Sequence, residues 1–421
     1  MQLCYLCLNM ALELHQVHTF ANGLRLVHQR VSGTRLAHIG YIIRAGSRND
    51  GAWPGMAHCF EHMMFKGTEK RKAIHVLNRL ETVGGELNAF TTKELTSVYA
   101  SVTTEHFSRA AELLTDVSFH SVFPEHELRK EQQVICEEIN LYRDTPEENI
   151  YDEFQEQVFE GHPLAGNILG TPESVRGMKR KDLVDFRNQY YGPENVVLAV
   201  VGNISLQRAV RTFEPLLEKI PLYQNGKRNT AEVRKYKASK NTKTTDHVQS
   251  YGILGTLAYP YVHPKRWPLI LLNNVLGGPG LNSRLNLAIR EKYGFTYSVE
   301  SGYASFEDSG MFHCYVSSDK KNLHRAMQLI EKELKKLCDT KLGIIQMHNA
   351  INQLKGQIVM SDEHRNGLML HLGKNVLQNG RVDSLEQVLA KIDAIRSEDL
   401  LEVANEIFNF EQLSYLLYLP E

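Results

Sequence analysis

Five consecutive residues, His58-Cys59-Phe60-Glu61-His62, place two imidazoles and a carboxylate within little more than one helical turn. At i and i+4 the imidazoles stand one above the other, with Cβ atoms about 5–6 Å apart, close enough to hold a single ion. The neighbours Met56, Ala57, Cys59, Phe60, Met63, Met64 and Phe65 are apolar almost all round, so the segment belongs in a core. Buried imidazole and carboxylate groups are costly unless something satisfies them. Pro54 near the first turn and Gly67 past the last predict a helix over 54–66.

Two readings compete. A chain with 18 His spells this pattern by chance now and then. The chemical reading is stronger: His-x-x-Glu-His is the inverted zincin order, with His58 and His62 as nitrogen ligands and Glu61 as general base. A catalytic zinc takes a third protein ligand and keeps one position open. Residues 125–142 read as a helix, with Val134, Ile135, Ile139 and Leu141 in its second half. Glu131 and Glu138 are two turns apart on one face of it, with Val134 and Ile135 between them, so that face can point inward. Glutamates on helices are usually solvated, as expected for Glu127 and Glu137. The residues alone do not choose between Glu137 and Glu138 as ligand.

The elements that must position these groups are duplicated. Residues 105–114 and 321–330 match at an offset of 216, each with an Arg-Ala pair and the same apolar positions. Strands are expected before both, over 97–102 and 311–316, and further upstream over 39–45 and 251–257. This gives an α+β fold of two modules, 1–222 and 249–421, each a sheet packed with helices. The basic, polar run 223–248 between them reads as a linker, and it lacks the aromatic interleaving of a nucleic-acid surface. The second module's helix over 267–276 contains neither His nor Glu, so only the first can hold metal. Gly277-Gly278-Pro279-Gly280 lacks the Lys-Ser/Thr of a phosphate loop and reads as a loop before a helix that ends near Gly294, with a strand from Phe295.

Charge and composition narrow the partners. With 48 basic and 49 acidic residues the chain has no net field to draw in nucleic acid or a membrane surface. Six Cys, scattered at 4, 7, 59, 136, 314 and 338, make no disulfide framework and suit a reducing compartment. Cys4-x-x-Cys7 has no second pair and reads as incidental; Cys136 reads as core. The N-terminus is apolar from Leu3 to Leu12, but no basic residue precedes Arg25, so neither a signal nor a transit peptide is expected. Val196 to Val201 is too short to span a membrane and reads as a buried strand. A cytoplasmic location is expected.

Taken together, Gly55 to Thr68 and Gly84-Gly85-Glu86-Leu87-Asn88-Ala89-Phe90-Thr91 resemble the pitrilysin/insulinase metallopeptidases, which include the mitochondrial processing peptidase, from about Val17 to the end. The resemblance implies that Glu138, 76 residues past His62, completes a site for one zinc ion per chain, and that Glu131 supports catalysis. It implies that each sheet is mostly antiparallel, as in the processing-peptidase fold. Asn88, Ala89 and Phe90 are implied to bind an extended peptide as an added strand. Glu94 falls at a further polar position near the family site. Arg290 and Tyr297 fall where the family has an Arg and a Tyr that reach the substrate; a phenol can donate to a developing oxyanion and a guanidinium can hold a carbonyl or carboxylate. Two modules where long members have four imply a dimer, with itself or with a related subunit. The expected activity is zinc-dependent hydrolysis of peptide bonds in extended or unfolded peptides within a closed chamber. The alternative is a non-catalytic or partner-dependent subunit of a processing-peptidase-like complex, and a hydrolase of small esters or amides would use the same ligands.

Overall fold

The computed structural model describes residues 15–227 and 236–421. The Cys4-x-x-Cys7 pair, the apolar run Leu3 to Leu12, and Arg228 and Lys235 of the basic run lie outside the described residues.

The first sheet contains β1 (Gln16–Thr19), β2 (Arg25–Arg30), β3 (Leu36–Ile43), β4 (Glu86–Thr91), β5 (Thr96–Thr103) and β6 (Val196–Gly202) in the order β1-β2-β6-β3-β5-β4. The second contains β7 (Lys240–Thr245), β8 (Ser250–Ala258), β9 (Val299–Ser305), β10 (Gly310–Ser318) and β11 (Ser414–Pro420) in the order β7-β11-β8-β10-β9. Leaving out β1, the two orders correspond strand for strand. Each sheet is antiparallel apart from one parallel pair, β2 with β6 and β7 with β11. The duplication seen in the sequence is thus a duplication of topology. β6, an almost unbroken Val/Leu/Ala run, is buried along its whole length, as a central strand covered on both faces should be.

Between the strands run α1 (Met56–Met64), α2 (Ala73–Glu81), α3 (Phe107–Phe119), α4 (Glu125–Arg143) and α5 (Pro146–Val158). Then come α6 (Pro172–Gly177), α7 (Arg180–Tyr190), α8 (Leu206–Leu217) and α9 (Arg266–Gly277). The second half adds α10 (Lys320–Asp339), α11 (Ile344–Asp362), α12 (Arg365–Asn379), α13 (Leu385–Asp393) and α14 (Ser397–Ile407). Each sheet buries one face against helices of its own half.

The other faces are covered by exchange. Ile150, Phe154 and Val158 of α5 pack on Tyr251, Ile253 and Leu416 of the second sheet. Leu368, Met369, Leu372 and Val376 of α12 pack on Val27, Ile42, Val197 and Val201 of the first. Gly373 lets α12 come this close, because a Cβ there would stand 2.4 Å from the Ile42 side chain. The two halves therefore share their cores.

Three local expectations change. The segment 223–248 is not all linker: β7 forms within it, and its polar Lys/Thr sequence is that of an exposed edge strand, where charge discourages further pairing. The metal-bearing helix is shorter than 54–66, running Met56–Met64. The strand expected from Phe295 begins at Val299, because Phe295 turns back to bond the Ile289 carbonyl (3.3 Å) and to stack on Tyr293 (5.1 Å between ring centroids).

Candidate metal centre

Helix α1 is set in place at its N-terminus. Both carboxylate oxygens of buried Asp50 accept from its first free N–H groups, Gly55 N at 2.6 Å and Ala57 N at 2.9 Å. Gly55 has φ +88° and packs against the Leu169 carbonyl, where a Cβ would come within 2.5 Å, so the entry to the helix is a glycine position. Met56, Ala57, Cys59, Phe60, Met63 and Met64 fill the core, which turns His58, Glu61 and His62 towards α4 and β4.

On α4 the inward residues are Leu128, Glu131, Ile135, Cys136 and Ile139. Val134 and Leu141 point outward and are exposed, contrary to the apolar face read from the sequence. Glu137 is also exposed, whereas Glu138 is half-buried and faces α1. Its Oε2 lies 3.7 Å from His58 Nε2 and 3.6 Å from His62 Nε2. The three donor atoms lie within 4.8 Å of one another. Zinc bonds of 2.0–2.2 Å in a tetrahedron require donors roughly 3.3 Å apart, and the two carboxylate–imidazole separations exceed this by a few tenths of an ångström, so the donor set suits the ion.

The surroundings prepare these donors. Burial, with His62 close by, pushes the His58 pKa down to about 3, leaving a neutral ring with a free lone pair. Among the described residues the buried His58 Nδ1 has no hydrogen-bond partner. Burial would also lower His62, but its Nδ1 contact to Glu131 Oε2 (3.0 Å) and the charges of Glu138 and Glu61 raise it above the ordinary value. Glu131 would be raised by burial; His62 and Lys66, whose Nζ is 2.6 Å from Oε1, hold it below the usual carboxylate range. Glu138 is raised by burial against the attraction of His62. Glu61 is raised by burial too, despite the 2.6 Å hydrogen bond that Thr91 donates to its Oε2. Lys66, Thr91 and Asp50 are functional neighbours that the sequence reading did not single out. Lys66 lies one turn beyond His62, a signal that was within reach, while Thr91 and Asp50 are brought in by the fold.

A pocket of about 320 Å³ opens beside this cluster, lined by Glu61, His62, Lys66, Glu131 and, from β4, Leu87, Asn88 and Ala89. Among the described residues β4 is an edge strand whose outer side carries no partner strand. Phe90 does not line this pocket; it faces the α12 side of the sheet and a second cavity. Glu94 is held by Arg48 at 2.9 Å. Arg290 and Tyr297 are not brought to the cluster. Arg290 lies in a π-helical turn, Asn286–Glu291, with Glu291 at 3.9 Å as its ion pair among the described residues, and Tyr297 is 91% exposed.

Residues 25–172 match the family described as Insulinase (Peptidase family M16), and residues 177–354 match the Peptidase M16 inactive domain. A Bacillus subtilis (strain 168) protein named Uncharacterized zinc protease YmxG is 34% identical over 394 residues, which are 93% of this chain and 95% of that protein. The chain belongs to the insulinase family of peptidases. A second member, Uncharacterized zinc protease ML0855 of Mycobacterium leprae (strain TN), is 33% identical over 93% of this chain and 88% of its own. Among solved structures, a protease from Helicobacter pylori superposes with TM-score 0.90 at 22% identity, over 97% of this chain and 100% of that one. The peptidase M16 inactive domain from Pseudomonas fluorescens gives 0.91 at 20%, over 97% and 98%. These two share the two-module fold. In this member of the insulinase family, His58, His62 and Glu138 all fall within the segment matched to the insulinase domain, and Arg290 and Tyr297 within the one matched to the inactive domain. Among the described residues no helix is long and apolar enough to cross a membrane.

Proposed function

We propose that the chain is a zinc-dependent endopeptidase that cleaves extended or unfolded peptides in a chamber closed between two copies of itself. The observation that carries this is the meeting of His58, His62 and Glu138 beside Glu61 and the free edge of β4. His58 and His62 would hold the ion through Nε2 and Glu138 through a carboxylate oxygen. Zinc bound there would supply Lewis acidity, enough to bring the ionisation of water from a pKa of about 15.7 to about 7.

The rest follows from the chain's own residues. The edge of β4 pairs with the peptide backbone through its unused N–H and C=O groups, so affinity depends little on sequence. Glu61, its pKa raised by burial and its carboxylate oriented by Thr91, takes the proton of the attacking water and passes it to the leaving amine. Glu131 fixes the ring of His62. Arg290 and Tyr297 of one copy serve the site of the other, a reading supported by the exposure of Tyr297 and its absence from the pocket of its own chain.

Glu61→Gln is expected to keep one zinc per chain while turnover of an internally quenched peptide falls about 100- to 10,000-fold, and a chelator should abolish the wild-type rate. Chelator-insensitive turnover, or full activity in Glu61→Gln, would overturn the assignment. Mixing Glu61→Gln with Tyr297→Phe chains should restore about a quarter of the wild-type rate if pairing is random and sharing is in trans. No recovery would mean that each chain completes its own site.

A further inference from the structure

A second cavity, of about 570 Å³, lies against the opposite face of the first sheet, between β4, α12 and β9. The strand that lines the metal-side pocket through Leu87, Asn88 and Ala89 reaches this cavity at Phe90, and the turn that follows lines it through Thr92 and Lys93. A peptide lying along the edge of β4 therefore runs from one to the other. At about 3.3 Å per residue, β4 runs about 7 Å from Ala89 to its last residue, Thr91, before that turn.

Most ionisable groups on this cavity's wall are committed. Lys93 donates to the Gly166 carbonyl at 2.7 Å, Glu94 is held by Arg48 at 2.9 Å, and Asp152 accepts from Asn167 at 3.0 Å. Burial also raises the pKa of Asp152, which weakens it as a counter-charge. Lys374 of α12 is different: among the described residues it has no hydrogen bond and no carboxylate within ion-pair distance, and its side chain is open to the cleft. One turn before it on the same face is His371, which lines both this cavity and the adjoining one, where Arg266 donates from Nη1 to the Tyr261 carbonyl at 3.4 Å and its buried Nε has no partner among the described residues.

These three basic groups repel one another. For His371, burial comes first and then the charges of Lys374 and Arg266 in disfavouring its proton; for Lys374, burial comes first, Glu94 favours its charge and Arg266 opposes it. Like charges gathered in a cleft walled by protein focus a positive potential, and an anion is what relieves it.

We propose that Lys374, backed by His371 and Arg266, forms a carboxylate subsite that takes an acidic side chain or the C-terminal carboxylate of a peptide laid along β4. The bound carboxylate sits about three to five residues along the peptide from the position opposite Ala89. Phe90, 36% exposed, offers a ring face to the apolar part of the same residue or its neighbour. The placement of the peptide rests on the peptidase reading above; the cationic cluster does not.

The test is equilibrium binding of fluorescent ten-residue peptides to full-length, zinc-loaded Glu61→Gln protein, read by anisotropy. The peptides carry a single Glu or Lys walked through each position, with free or amidated C-termini. We expect Glu at one window of positions, or a free C-terminus, to bind at least about tenfold tighter than the Lys or amide counterpart. Lys374→Met should bring the ratio to near unity and Lys374→Glu should invert it. A Glu effect that survives amidation assigns the site to a side chain, and one lost on amidation to the terminus. Equal binding of all peptides, no binding of any, or a preference untouched by both Lys374 variants overturns the subsite. Chelator-sensitive turnover by the wild-type chain, measured beside it, reports on the peptidase reading separately. Turnover without a charge preference in binding sinks the subsite alone, and a charge preference without turnover upholds it.

Discussion

The two ring nitrogens of His62 have separate duties: Nε2 faces Glu138, and Nδ1 meets Glu131 at 3.0 Å. With the proton of the ring held on Nδ1 by a carboxylate, Nε2 keeps the lone pair a metal needs and the ring cannot turn. Lys66 holds the other Glu131 oxygen at 2.6 Å, so the carboxylate is clamped from both sides. These contacts are those of a residue that positions His62, and the support to catalysis implied by the resemblance would act through that ring. Glu131→Gln is expected to weaken zinc binding about 10- to 100-fold, as loss of a ligand's supporting partner generally does. Competition with a chromophoric chelator measures it, and an unchanged affinity would remove Glu131 from the metal's support. His58, Glu61 and His62 were legible in the sequence because their geometry is fixed by one helical turn. Glu138 was not separable from Glu137 by that logic, since neighbours on a helix point about 100° apart and the packing of α4 decides which faces in. The resemblance supplied what periodicity could not.

At the scale of elements, the ends of α1 matter more than its length. Asp50 lies outside the helix in sequence, yet its two oxygens satisfy Gly55 N and Ala57 N, at the turn that carries His58. Burial pushes the Asp50 pKa up to about 8 against these backbone bonds, so the side chain serves as an acceptor even where its charge is suppressed. Asp50→Asn sets an NH₂ group against one of those N–H groups, leaving a buried donor unpaired. The expected loss is about 1–3 kcal/mol, read from the shift of the denaturant midpoint at constant slope. A shift near zero would mean that the cap does not hold the helix. Helix α1 was legible from its apolar surroundings and α4 from its run of helix formers, although the apolar face read on α4 was partly wrong, and β4 came from the resemblance. The sequence reading missed β7 because an edge strand protects itself with Lys and Thr, the same residues that mark a solvated connector.

On the scale of the whole molecule, the second half contributes no donor to the His58–His62–Glu138 cluster, yet it holds up the first. Besides lending α12 to the first sheet, it sends Asp308, in the turn between β9 and β10, across to Arg48. Arg48, its side chain fully buried, donates to Asp308 Oδ1 at 2.8 Å, pairs with Asp308 Oδ2 as well, and reaches Glu94 Oε1 at 2.9 Å. Glu94 also accepts from the backbone of Glu307 at 3.2 Å, so both partners tie the β4–β5 turn to the second half. Arg48 stands two residues before Asp50, the cap of α1, and the link therefore runs from the second half to the start of the metal helix. None of this is visible in sequence, where Arg48 and Asp308 are 260 positions apart and nothing local pairs them. If the contact is a true tether, Arg48→Ala takes the guanidinium from both Asp308 and Glu94 in a poorly solvated seam and costs about 3–5 kcal/mol, whereas Asp308→Ala leaves Arg48 paired with Glu94 and costs less. Removing both strands less than the two separate losses imply, so the double variant should recover about 0.5–3 kcal/mol of coupling in a denaturant-unfolding cycle. Strictly additive losses would show that Arg48 answers to Glu94 alone, and that the two halves are joined only through the apolar seams of α5 and α12.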